Sequence, residues 1–241
     1  MSTQEYFGVP INRPQANAIY TDAMSRMYGL VALGVITTGA TIWIGDRIGA
    51  STVIFSFGWI GWLLMFGVLF LTLNAASAVA ARGNTGLGTV LYFAFAGMWG
   101  LFLSPILVRY TSDTIGVAFL LTGGLFVAMS AIGMTTKKDL SKLGPMLLYG
   151  AIGLIIISIV NVIVLQSSGL FLLINILLLP VFLGLIVWAT KEMKELAQEA
   201  AMRGDEKAAT QVAVMGSIFL YTNVINLFIT ILSLLGFVSN D

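Results

Sequence analysis

Neither cysteine nor histidine occurs in this 241-residue chain. Without cysteine there are no disulfides, thiolate nucleophiles, zinc fingers or iron–sulfur clusters. Without histidine, Ser–His–Asp and Cys–His catalysis, histidine haem ligation and an imidazole pH switch are excluded. Charge is scarce too: charged residues make up 10% of the chain, against about 25% in a soluble domain. With 12 Lys and Arg set against 11 Asp and Glu, no basic excess exists to hold nucleic acid. What fills the chain is apolar, 58% of residues, where a soluble domain has about 45–50%. The composition describes an all-α integral membrane protein with little catalytic equipment. No enzyme activity, cofactor or metal site is expected.

A bilayer core about 30 Å thick takes roughly 20 apolar residues per helix. Seven stretches qualify: 27–44, 52–73, 86–107, 114–134, 143–165, 169–189 and 212–238. Six spans plus a re-entrant segment is the alternative. Only Gln166, Ser167 and Ser168 join the fifth and sixth spans, which predicts a tight antiparallel hairpin. Residues 1–26, with Pro10 and Pro14, read as a short disordered polar arm and not as a cleavable signal peptide. Residues 27–241 form one membrane domain. Ten of the twelve Lys and Arg fall on one side of the seven-span frame, leaving Arg47 and Arg109 on the other. Positive-inside bias then places the N terminus in the cytoplasm and the C terminus outside a plasma (inner) membrane. In the charged loop 190–211, the spacing of Lys191, Glu195 and Glu199 predicts a helical extension of the sixth span ending at Gly204.

A charge inside a bilayer costs at least about 2.5–3.5 kcal/mol on insertion scales, and no span carries one at its middle. Neutral polar residues do occur there. Asn223, Asn226, Thr230 and Ser233 follow a 3–4–3 spacing that sets them on one face of the last span, with Gly216 continuing it. Amides facing lipid would be unsatisfied, so this stripe faces protein or water, and the last helix is the inner one. Ser158 and Asn161 lie three apart in the fifth span, and Asn175 lies early in the sixth. Pro105, behind Ser104, frees the Leu101 carbonyl, while Pro180 frees that of Ile176 and is expected to break the sixth helix. The Ala96–Gly100 and Gly124–Ala128 pairs have the spacing of close helix contacts, as Gly97, Gly116, Gly123, Gly150 and Gly153 extend the supply of small residues. Residues 83–88 are glycine-rich but lack the Gly-Lys-Ser/Thr ending of a phosphate loop.

Three stretches taken together have a wider likeness: Gly100-Leu101-Phe102-Leu103-Ser104-Pro105, Thr135-Thr136-Lys137-Lys138-Asp139-Leu140-Ser141, and Leu220-Tyr221 through Asn226-Leu227-Phe228 to Leu234-Leu235-Gly236. In that order, over about residues 20–241, the chain resembles the Bax inhibitor-1 family of transmembrane Bax-inhibitor-motif proteins. The resemblance implies a seven-helix bundle whose last helix is enclosed by the other six. It also implies links to passive, pH-sensitive calcium leak, to suppression of cell death and, in a bacterial branch, to a membrane-anchored AAA protease. Leak-forming members pair two acids, one ending the sixth helix and one in the seventh. The positions here are Ala189-Thr190 and Asn223, so both acids are missing, whereas the arginine associated with the pair is kept as Arg82. Thr190 and Asn223 offer neutral oxygens and no titration, although calcium prefers anionic ligands.

Two functions follow as expectations. One is a regulator that binds another membrane protein, such as the AAA protease. The other is a passive calcium or cation leak with weakened pH gating, using Asn223, Asn226, Asn161 and Thr190, with Ser158 and Thr230, around a central path. Arg82, Asp139, Ser104 and Pro105 are the family-like gating or loop positions.

Overall fold

The computed structural model describes residues 13–238, and within them all side chains except those of Ser51, Ile54, Phe55, Trp59, Trp62 and Leu63. Residues 1–12 of the arm and the Ser239-Asn240-Asp241 tail lie outside the described residues. Seven helices are long and apolar enough to cross a membrane, and no strand occurs among the described residues. The elements are α1 (Arg13–Arg47), α2 (Ala50–Ser56), α3 (Gly58–Ala81), α4 (Thr85–Leu103), α5 (Ile106–Arg109), α6 (Ser112–Thr135), α7 (Leu143–Val160), α8 (Ser168–Met202) and α9 (Glu206–Val238), with a π turn, Asn161–Leu165, after α7.

From Arg13 onward the arm is helix, not disordered chain. Ile19, Ala23, Met24 and Met27 repeat at i, i+4, i+5 and i+8 and are buried in the main core, a stripe of the kind that holds a helix on its neighbours. Pro14, at the second position of α1, needs no intrahelical donor there. The second span also shifts. Gly58, at φ +54°, interrupts the chain between α2 and α3, and α3 runs past the expected end at residue 73 to Ala81. Asn74 does not end it, because its amide donates to the Phe70 carbonyl of its own helix (2.7 Å). The glycine-rich 83–88 segment is a helix junction: Gly83 has φ +85° and the Asn84 side chain caps α4 by accepting from the Leu87 N–H (3.1 Å).

Ser104-Pro105 behaves as its chemistry dictates. α4 ends at Leu103, and the Ser104 hydroxyl donates to the Leu101 carbonyl that Pro105 leaves free (2.8 Å). Pro180 does not break α8, which continues through it; one missing bond in a 35-residue helix packed on α6, α7 and α9 is not enough to interrupt it. The extension beyond the sixth span is present as expected. It ends at Met202, Gly204 takes φ +67°, and the Asp205 carboxylate caps α9 through the Ala208 N–H (2.9 Å). Lys191 pairs with Glu195 at 3.4 Å, worth only about 0.2–0.5 kcal/mol on a helix surface. Glu199 pairs instead with Arg203.

α9 is the most deeply buried of the seven spans. It packs on α1, α3, α4, α6 and, most extensively, α8, while α7 lies outside against α8. Small residues set the closest approaches, though not all those expected. A Cβ on Gly100 would run into Thr41 and the Thr38 carbonyl of α1, whereas Gly116, Gly123, Gly124, Gly150 and Gly153 have nothing within 4 Å of theirs. The Gly124–Ala128 pair therefore lies on the outer surface and joins no helices within the bundle.

Candidate functional site

The polar stripe of α9 faces protein. Asn223 is 4% exposed and Thr230 2%, Asn226 is half-buried, and Gly216 lies where a Cβ would meet Met27 Sδ at 2.5 Å. The Asn223 amide is already engaged, donating to the Phe219 carbonyl one turn back (2.8 Å). Thr190, in α8, is fully buried. It sits behind Gly133 of α6, where a Cβ would come within 2.7 Å of Thr190 Cβ and 2.6 Å of the Val187 carbonyl. Among the described residues, Thr190 Oγ1 has no hydrogen-bond partner, and neither do the buried Tyr28 hydroxyl, Ser130 Oγ and Trp188 Nε1. The two acid positions of the resemblance thus both lie inside the bundle as neutral residues. No group of three or more His, Cys, Asp or Glu that could hold a metal occurs among the described residues.

Other expected site residues are not gathered around that centre. Asn161 is buried at the far end of α7, where its side chain grips the fifth–sixth hairpin. Its Nδ2 donates to the Ser167 carbonyl, and its Oδ1 accepts the Ser167 N–H, both at 3.0 Å. It clamps the turn. Ser158 lies half-buried one turn before it. Asn161→Ala would orphan a backbone N–H and is expected to cost about 1–3 kcal/mol, read as a lower unfolding temperature in detergent. Asn161→Asp, which keeps the acceptor, should fall between that variant and the parent.

Arg82 is exposed at the end of α3, beside the Ala81 carbonyl that accepts from Gln211 Nε2 (2.6 Å). It forms no ion pair among the described residues. Asp139 is exposed in the loop after α6, where the Ser141 N–H (2.9 Å) holds its carboxyl below the usual carboxylate range. Ser104 and Pro105 are buried, with Ser104 packed against Gly45 of α1.

Two constellations escape a reading of the sequence. The first pins the Asp139 loop: Lys194 Nζ donates to the Met134 carbonyl (2.7 Å) and Lys191 Nζ to that of Lys138. Both lysines thereby satisfy carbonyls at or just beyond the C-terminal end of α6, where cations are favoured. The only hint in the sequence is their three-residue spacing on one helix. The second joins α1, α4 and α9 at a buried cluster. The Thr38 and Tyr221 hydroxyls lie 2.6 Å apart, Tyr92 donates to the Leu30 carbonyl (2.9 Å), and the two tyrosine rings meet edge to face at 5.4 Å.

An opening lies elsewhere, at the end of the bundle opposite Lys191. It is a cavity of about 620 Å³ walled by the α5–α6 junction, the fifth–sixth hairpin and the end of α9. Neither it nor a smaller cavity of about 160 Å³ by the α8–α9 turn is lined by Asn223 or Thr190.

Comparison with known proteins adds to this geometry. Residues 21–240 match the family described as inhibitor of apoptosis-promoting Bax1. The chain is 30% identical over 216 residues to the inner membrane protein YbhL of Escherichia coli, covering 88% of this chain and 90% of that one. It is 32% identical over 214 residues to the protein RP147 of Rickettsia prowazekii, covering 88% of each. A membrane protein of Streptococcus pyogenes is 32% identical over 169 residues, covering 70% of this chain and 72% of that one. A match across nearly the whole chain, on a seven-helix bundle with the last helix inside, places the protein in the Bax inhibitor-1 family as a multi-pass membrane protein.

Proposed function

We propose that this chain is a non-enzymatic regulator in an inner membrane, acting by binding another membrane protein, with the membrane-anchored AAA protease as the first candidate. One observation carries the reading. At the two positions where leak-forming relatives would hold an acid pair, the interior has Asn223 bonded to its own helix and Thr190 sealed behind Gly133. Calcium entering there would give up water for a few neutral oxygens, which hard cations accept poorly. The N terminus is assigned to the cytoplasm on the ten-to-two Lys and Arg bias. That side carries the helical α8–α9 extension, and the outer faces of α6 and α7 expose the glycines on which a partner's helix could lie closely. Crosslinking in native membranes from probes at Gly123 and Gly153 tests the proposal. A discrete adduct with the protease supports it, and recovery of the uncrosslinked chain alone from both positions counts against it.

A second reading, a cation or calcium leak with weak pH dependence, draws on the unpartnered hydroxyls of Tyr28, Ser130 and Thr190. Buried hydroxyls without partners are sites where water enters, and a chain of such waters would open a path.

A further inference from the structure

The cavity opposite Lys191 has a chemistry that the regulator reading does not use. Among the described residues lining it, Arg109 alone carries a formal charge. Thr111, Thr114, Ser168, Ser233 and Gln166 bring hydroxyls and an amide to the same wall, and no Asp or Glu lines it among the described residues. Asp113, in the first turn of α6, is exposed and is not part of that wall. Phe171 and Phe237 supply an apolar side. The cavity's shape is held by contacts already described or nearby. Asn161 fixes the hairpin on one side, and Gly236 lets the Tyr110 ring lie directly on α9 on the other. α6 and α8 both begin at this cavity, Thr111 and Ser167 being their caps, so the positive ends of two long helix dipoles add to the charge of Arg109.

A guanidinium fork matches two oxygens of a phosphate, and the rim hydroxyls can donate to the rest. The position also fits, because the cavity lies where membrane-spanning helices end and where lipid headgroups lie. We propose that this cavity binds a phosphate group, with Arg109 as the principal contact, and that the phosphate is presented by an anionic phospholipid whose glycerol and upper acyl carbons lie against Phe171 and Phe237.

The test uses the full-length chain in two arms. In the first, the protein in phosphatidylcholine nanodiscs is titrated with phosphatidylglycerol and retained lipid is read by native mass spectrometry. Saturable retention is expected, and Arg109→Gln should weaken it about tenfold, the equivalent of about 1.4 kcal/mol. Arg47→Gln removes the other cation of the same end, which stacks on Trp43 outside the cavity, and should change nothing. Thr114→Glu places a carboxylate in the wall and should abolish retention even if Arg109→Gln is poorly folded. In the second arm, delipidated protein is titrated with inorganic phosphate. Binding there with the same dependence on Arg109, without lipid retention, keeps the phosphate site but overturns its assignment to a lipid. Equal losses in the Arg47 and Arg109 variants, or no saturable binding in either arm, would overturn the proposal.

Discussion

Adding one methyl group at Gly100 is expected to lower the unfolding temperature of the protein in detergent by far more than the same change at Gly124. The Cβ of Gly100→Ala would fall on Thr41 Oγ1 and 2.5 Å from the Thr38 carbonyl oxygen. The Thr41 side chain can rotate away. The Thr38 carbonyl belongs to the backbone of α1, so relief requires α1 and α4 to separate. That movement is costly because Thr38 is also the hub of the buried cluster, donating towards the Ala96 carbonyl (3.1 Å) while lying 2.6 Å from the Tyr221 hydroxyl. Overpacking alone costs about 1–3 kcal/mol, and an orphaned buried hydroxyl adds about 1–3 kcal/mol. Gly124→Ala is the control, since nothing lies within 4 Å of its Cβ. Equal melting of the two variants would show that the first and third spans are not in the contact described.

The second large effect is expected from Asn223→Asp. The side chain is buried, and its Nδ2 is the donor to the Phe219 carbonyl. A carboxylate there loses that donor and faces the same carbonyl with like polarity. A charge in this setting costs at least about 2.5–3.5 kcal/mol, whereas the protonated acid can still donate. Because burial disfavours the ionised form, the folded state holds the proton more tightly than the unfolded chain. The variant's stability deficit is therefore smallest at low pH and grows as pH rises above the ordinary carboxylate range. Unfolding temperatures of parent and variant across that range should diverge upward in pH. A constant difference would mean that position 223 is solvated.

Much of the architecture was legible in the residues. Seven apolar runs mark seven spans, and the spacing of Asn223 and Thr230 marks the helix that is buried. The helical start of α1 was legible too, in the stripe from Ile19 to Met27, but the prolines and polar residues around it suggest a flexible arm. Glycines misled for a different reason. A small residue permits close contact but does not say on which side a neighbour lies, so Gly100 and Gly124 look alike in sequence and differ completely in surroundings. Asn161 presents a related ambiguity, since an amide in an apolar span reads equally as lining a path or gripping a turn. Its partner, Ser167, is only six residues away. The lysine bonds to the end of α6 and the Thr38–Tyr221 pair join residues 53 to 183 positions apart. Local spacing puts the two lysines on one helix face but does not name the carbonyls they reach, and it carries no trace of the Thr38–Tyr221 pair.

The central claim is that the enclosed last helix and its neighbour offer the buried neutral groups of Asn223 and Thr190 where a titrating gate would need acids. Calcium flux from liposomes containing the purified protein tests it most directly, measured between about pH 6 and pH 8, where a coupled carboxylate pair would change its charge. The account predicts release no faster than from empty vesicles at either end of that range. Flux that rises or falls steeply with pH would contradict it.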